Sequence, residues 1–361
     1  MPPLGRILAT AVICSGVLSG QDVARLAGQA REASRLDEAV ALYRKAVSDN
    51  PRWTEGWWYL GTLLYDRDDY RGAEPAFNNA AALDPRNGTA LAMLGLCEAK
   101  LGKNAAALRH LQESRTLGLA GDPQLRHVVL YSLGTLWLDR GNERGDFDNA
   151  QDVLDALAGE GVESEELIVA LGLAVLRLRS PAENPELVSA AGHAETLAAQ
   201  RSKLAEALVA YQHLADAFPK IHNVQFAHGK FLLASHYDDQ AVAAFQRELE
   251  NTPSHLLARL GIAGVKTRTD AAGGLPYAEE AVKLAPDLPE AHYLLGVLLL
   301  DTGKVTQGIA ELEIAQRAEP DVAKIYFALG RAYARAKRTT DAARARATFA
   351  RLNKQSEEAR P

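Results

Sequence analysis

The sequence predicts an all-α protein built from antiparallel helix pairs stacked in an array. Three observations lead there. The 361-residue chain is 47% hydrophobic but only 6% aromatic, and it is rich in Ala and Leu, a balance that favours helices over sheets. Small, large and proline residues recur in separate columns that share a spacing of 34 residues. Essentially no strands are predicted on which the common catalytic loops could sit.

The first element is an N-terminal segment. In "MPPLGRILATAVICSGVLSG" one Arg precedes an apolar run from Ile7 to Leu18. That run is too short to span a bilayer but suits the core of an export signal. Val17 and Ser19 form a small-residue cleavage pattern, which predicts a mature chain beginning at Gly20 or Gln21. Ile13 stands before Cys14 where a lipoprotein signal wants a small residue, which weakens that reading. The expected location is therefore exported, periplasmic or secreted, and cytoplasmic if the segment is not cleaved.

The columns follow. Glycines fall at Gly61, Gly95, Gly134, Gly172, Gly229, Gly296 and Gly330. A second small column runs through Ala39, Ala73, Ala107, Ala150, Ala207, Ala241, Gly308 and Ala342. Four residues after most of these stands a large one: Tyr43, Phe77, Leu111, Leu154, Tyr211, Phe245, Leu312. Prolines close the repeat at Pro51, Pro85, Pro219, Pro253, Pro286 and Pro320. Glycine inside a helix costs about 1 kcal/mol relative to alanine. The column is explained if helices approach closely there and a larger side chain would push them apart. The prolines belong between repeats, where a helix ends and no backbone donor is needed.

The stretch "TEGWWYLGTLLYDRDDYRGAEPAFNNAAALDP" carries Trp57, Leu60, Gly61, Ala73, Phe77, Ala80 and Pro85. In these residues the chain resembles the tetratricopeptide repeat family, with Leu64 in place of the usual tyrosine. The resemblance covers residues from about 20 to 353. It implies a right-handed α-α superhelix, a solenoid of antiparallel helix pairs, and says almost nothing of function.

Three places depart from the period. "RGNERGDFDN" lengthens the turn between Gly134 and Ala150 by four residues. "DFDN" lacks the Gly and Glu that complete a calcium loop, so a solvated polar turn is expected. Gly172 is followed by Glu195 in the glycine column 11 residues too soon, with "SPAENPE" between, so one helix there is missing or replaced by a loop. Paired glycines and a proline in "TDAAGGLP" are expected to loosen a turn. The expected organisation is a signal at 1–20, a first sub-array at 21–178, an irregular half-repeat at 179–187, and a second sub-array at 188–353. The last of these carries a capping helix, and a polar tail covers 354–361. In all, about nine helix pairs and one half-repeat are expected.

The sequence offers no chemistry. No nucleophile elbow, phosphate loop or dinucleotide fingerprint is present. His222, His228 and His236 are six and eight residues apart, spacings that do not share a helical face, so no metal is expected. No cofactor is expected, nor catalytic residues. A net charge of −6 without a basic block gives no reason to expect nucleic acid.

In the geometry implied by the resemblance, one position of each leading helix lines the concave inner wall. Here it holds Trp58, Tyr131, Phe226, Tyr293 and Phe327, with Ala92 and Val169 in weaker repeats. One turn on lie Thr62, Lys230 and Arg331, and Tyr65 follows Thr62. Repeated aromatics on such a wall point to a binding groove. Some family members bind acidic C-terminal tails through a Lys, Asn and Arg clamp. The leading repeats here offer Ala24, Gly28, Trp58, Thr62 and Ala92 instead. The expectation is a non-enzymatic scaffold or adaptor of the bacterial cell envelope that holds protein or peptide partners, without a stable transmembrane span. The alternative is a regulatory or substrate-recognition subunit of an enzyme or secretion complex whose catalytic part is another chain.

Overall fold

The computed structural model of the chain describes residues 20–119, 121–141 and 145–358. The expected export segment lies outside them except for Gly20, which opens the first helix. Among the described residues there are nineteen α-helices and no strand. The chain divides into two compact units, one ending at Arg140 and the other beginning at Gly141.

The first unit holds α1 (Gly20–Glu32), α2 (Leu36–Asp49), α3 (Thr54–Tyr65), α4 (Tyr70–Leu83), α5 (Gly88–Lys100), α6 (Asn104–Leu117) and α7 (Pro123–Arg140). The second holds α8 (Asp146–Gly159), α9 (Glu165–Leu176), α10 (Pro185–Ala199), α11 (Leu204–Ala217), α12 (Val224–Ala234), α13 (Asp238–Asn251), α14 (Leu256–Thr269) and α15 (Ala271–Leu284). It continues through α16 (Pro289–Asp301), α17 (Val305–Ala318), α18 (Ala323–Arg335) and α19 (Thr339–Glu358). Within each unit, successive helices pack as hairpins and neighbouring hairpins stack, which is the architecture of a repeat solenoid.

The glycine column is a set of seats for the large column. A Cβ on Gly61 would come 2.7 Å from Phe77 Cε1, and one on Gly95 2.7 Å from Leu111 Cγ. Gly229 faces Phe245 and Gly296 faces Leu312 in the same way. Phe77, Leu111, Phe245 and Leu312 are wholly or almost wholly buried. The prolines lie between pairs, and their carbonyls are used. Pro51 O accepts from Trp57 Nε1 at 2.9 Å, Pro286 O bonds His292 Nε2 at 2.9 Å, and Pro320 O accepts from the Tyr326 hydroxyl at 2.8 Å. Each bond ties a leading helix to the loop that precedes it.

The turns inside the pairs hold a column with no single chemical signature. Ser34, Asp68, Gly102, His236, Gly303 and Lys337 all have positive φ, from 55° to 84°. These six turns use that left-handed residue, although glycine supplies it at only two of them, and the α14–α15 turn does without it because Asp270 there is extended.

The shared helix is α10. It closes a hairpin with α9, packed as tightly as those elsewhere in the unit, and it also packs against α11. At α9–α10 the backbones themselves touch. A Cβ on Gly172 would lie 2.0 Å from Val188 O, and one on Gly192 would lie 1.9 Å from Ile168 O. Residues 179–187, expected as the boundary between sub-arrays, join these two closely packed helices instead. Ser180 and Asn184 cap the short 3-10 turn and α10 by accepting from Ala182 N and Leu187 N. The division between compact units falls earlier, after α7.

Two further expectations change. The "TDAAGGLP" segment is not a loosened turn but the start of α15. Asp270 caps it by accepting from Gly273 N at 2.9 Å, and Gly274 is small because Leu298 Cδ2 lies 2.8 Å from where its Cβ would be. In "DFDN", Asp148 is not merely solvated, since it pairs with Arg177 and with Lys230.

Candidate functional site

In the first unit, α3 carries Trp58, Thr62 and Tyr65 at helical spacing, so one stripe holds all three. Trp58 is half-buried and meets Phe77 edge-on at 5.5 Å between ring centroids. Tyr65 lies 6.5 Å from Phe77 and 5.3 Å from Tyr70, again edge-on. The Thr62 hydroxyl donates to Tyr59 O at 3.0 Å. The stripe therefore leans on the Phe77 core and keeps part of its surface in solvent. Tyr131, on α7, is also half-buried.

In the second unit, Tyr293 on α16 and Phe327 on α18 occupy the same position of successive leading helices. Lys324 Nζ lies 4.7 Å above the Tyr293 ring. Phe327 is 54% exposed although Ala328, Leu329 and Gly330 beside it are buried. Its ring packs at 5.5 Å on Phe349 of α19. Arg331, one turn on, donates to Asp301 Oδ1 at 3.0 Å.

Phe226 departs from the expected groove. It is only 4% exposed, with Phe245 at 5.9 Å, His255 at 4.8 Å and the Arg177 guanidinium 5.7 Å from its ring. It offers no surface to a partner, because the end of α9 and the start of α14 cover this position of α12. Lys230 is likewise committed inside the unit. Its Nζ donates to Asp148 Oδ1 at 2.7 Å and to Gln151 Oε1 at 3.0 Å. Burial is the largest single effect and raises the Asp148 carboxyl, but the charges and hydrogen bonds of Lys230 and Arg177 together outweigh it and hold the group below the usual carboxylate range.

The histidines group differently from their sequence spacing. His228 is buried against Tyr211, and His236 supplies a left-handed turn. His222, Glu248 and His255 bring one ligand atom each to within 4.8 Å of one another. Their hydrogen bonds are those of a helix cap. Glu248 accepts from Asn223 N at 3.0 Å and Phe226 N at 3.2 Å, the free amides at the start of α12. His255 Nδ1 accepts from Ala258 N at 3.1 Å, so its proton sits on Nε2, which donates to Asn223 Oδ1 at 2.9 Å. Both ring nitrogens are occupied, and a metal would have to break these caps.

No helix among the described residues is long and apolar enough to cross a membrane. The family model for the tetratricopeptide repeat matches residues 60–120, 267–311 and 298–352. No curated protein matches the chain. Among solved structures, a crystal structure of MamA is 16% identical and aligns over 44% of this chain and 93% of that one, with a TM-score of 0.40. MamA from Desulfovibrio magneticus RS-1 is 24% identical over 43% of this chain and 88% of that one, with a TM-score of 0.40. Yeast Tom70 is 15% identical over 94% of this chain and 90% of that one, with a TM-score of 0.35.

Proposed function

We propose that the protein is a non-enzymatic scaffold that holds segments of a protein partner against the inner-wall stripes of its repeats. In the first unit the contact residues are Trp58, Thr62 and Tyr65, with Tyr131. In the second they are Tyr293, Phe327 and Arg331. The observation that carries this reading is Phe327, a large rigid ring held more than half in solvent on a helix whose next three residues are buried. Rigid aromatics give wide contact area at low entropic cost, which suits an extended or helical segment. Phe226 and Lys230 are not part of the groove.

The test pairs thermal melts with pull-down of the native partner for Trp58→Ala and Phe327→Ala. Loss of capture with a near-unchanged melt supports the scaffold. Normal capture by both variants overturns it. The setting belongs to the same proposal: the Arg6-then-apolar N-terminus supports export into a bacterial envelope. Mass spectrometry of the native protein should find its first residue at Gly20 or Gln21.

A further inference from the structure

In the regular pairs a packing glycine faces the large residue of the next helix, as Gly61 faces Phe77 and Gly229 faces Phe245. One pair breaks this rule at the glycine. The glycine position holds Glu195 on α10, and 16 residues on, the large position holds Tyr211 on α11. The Tyr211 hydroxyl donates to Glu195 Oε2, and Gln151 Nε2 donates to Glu195 Oε1. Both partners are buried, Glu195 to 6% and Tyr211 to 1% exposure. A seat for an aromatic ring has become a polar contact, and beside it lies a cavity of about 480 Å³.

The cavity combines acidic and apolar lining residues. Asp155 and Glu195 line it together with Val175, Ala227 and Phe231. Asp155 Oδ1 is sealed from bulk solvent and has no hydrogen-bond donor. A buried carboxylate oxygen in that state is unfavourable unless the group takes up a proton or a donor arrives. Burial first, the Glu195 charge second and a hydrogen bond with Glu195 third push the Asp155 carboxyl well above the usual range, so the proton that Asp155 holds is shared with Glu195. Lys230 and Arg201 are the cations that line the site. Lys230 Nζ is already engaged by Asp148 and Gln151. The volume falls in the ~300–1,000 Å³ range of small-ligand pockets.

We propose that this cavity binds an alkylammonium group, its –NH₃⁺ between Asp155 and Glu195 and its carbon chain along Val175, Ala227 and Phe231. The ammonium donates to Asp155 Oδ1 and to Glu195, and the proton on Asp155 leaves to solvent, so the charge of the pocket is conserved. The site is independent of the inner-wall groove. The ammonium could be borne by a free amine or by a lysine side chain of a peptide.

The test is calorimetric titration of the full chain with 1,5-diaminopentane and with Nα-acetyl-lysine methylamide, and with hexanoate and calcium chloride as controls. Saturable binding of either amine is expected, at least tenfold weaker in Glu195→Gln and in Asp155→Asn. Glu195→Gln keeps an acceptor for the Tyr211 hydroxyl, and melts check that both variants fold. Titration in buffers of different ionisation enthalpy should show proton release by the wild type and none by Asp155→Asn. Binding of the diamine alone identifies a free amine, and binding of the lysine derivative alone identifies a peptide side chain. No saturable binding of either amine overturns the proposal. Undiminished binding in both variants, or tighter binding of calcium or hexanoate, does the same.

Discussion

Gly61 and Phe77 are fitted to each other: a Cβ on the glycine would stand 2.7 Å from the ring edge of the phenylalanine. Gly61→Leu and Gly95→Leu should each lower stability by roughly 1–3 kcal/mol through overpacking. Gly172→Ala and Gly192→Ala should be worse, because backbone carbonyls rather than side chains stand in the way. Gly330→Ala should be tolerated, since its nearest neighbour is the flexible Arg346 side chain at 3.3 Å. Denaturant melts rank the five, and a neutral Gly61→Leu would refute the packing role.

The inner-wall aromatics should divide into two kinds. Trp58→Ala and Phe327→Ala should weaken partner capture by about 2 kcal/mol each while costing less stability than Phe77→Ala. Phe226→Ala should behave like Phe77→Ala and Phe245→Ala, losing roughly 3–5 kcal/mol, because its ring is enclosed. Equal melts for Phe226→Ala and Phe327→Ala would contradict the assignment.

Residues in left-handed turns offer a gain. His236 and Lys337 sit at φ 65° and 59° without glycine's freedom. His236→Gly and Lys337→Gly should stabilise by about 0.5–1 kcal/mol. His236→Ala should not, because alanine meets the same steric conflict. A lowered melting midpoint in both glycine variants would count against this.

Burial, and then the Arg247 charge for His228 and the His222 charge for His255, push these two histidines from 6.5 down to about 4. Between those values the unfolded chain binds protons that the folded chain refuses. Stability is therefore full above about pH 6.5 and falls as pH drops toward 4, by roughly 1.4 kcal/mol per pH unit per histidine at most. His228→Gln should flatten the dependence of melting midpoint on pH. Parallel curves for the two proteins would refute it.

Asp155 has the opposite sign. Its carboxyl is raised by burial and by Glu195, so its stabilising effect is present at low pH and lost as pH rises through the folded value. Asp155→Asn should exceed the wild type in stability at pH 7, on the order of 1–3 kcal/mol. The advantage should shrink as the pH approaches 4, and a destabilised variant at pH 7 would exclude the account.

Much of the fold was legible because its contacts are local. Gly61 with Phe77, and Pro51 with Trp57, are neighbours in the chain, so spacing alone exposes them. The short interval between Gly172 and Glu195 marked the irregular step, at which α10 packs on both α9 and α11. Other features were not. Left-handed turns filled by Ser, Asp, His and Lys share no side-chain chemistry. The Glu248 cap on α12 and the cover over Phe226 come from other helices, which no helical period reports. The wall position in α12 therefore looked like those in α16 and α18. Glu195 was visible as a break in a column, but its partner Asp155 was not.

The Glu195–Tyr211 bond closes over 16 residues, but Lys230 reaches back 82 residues to Asp148. Folding speed follows how much chain must be looped to make each contact. Hairpins seated by a glycine need no distant help and form early, each as soon as its own two helices exist. The wall of the cavity that carries Lys230 waits for everything from α8 to α12. In time as well as in space, the acidic cavity is the part of this array that no single repeat can build, and it is among the last to be finished.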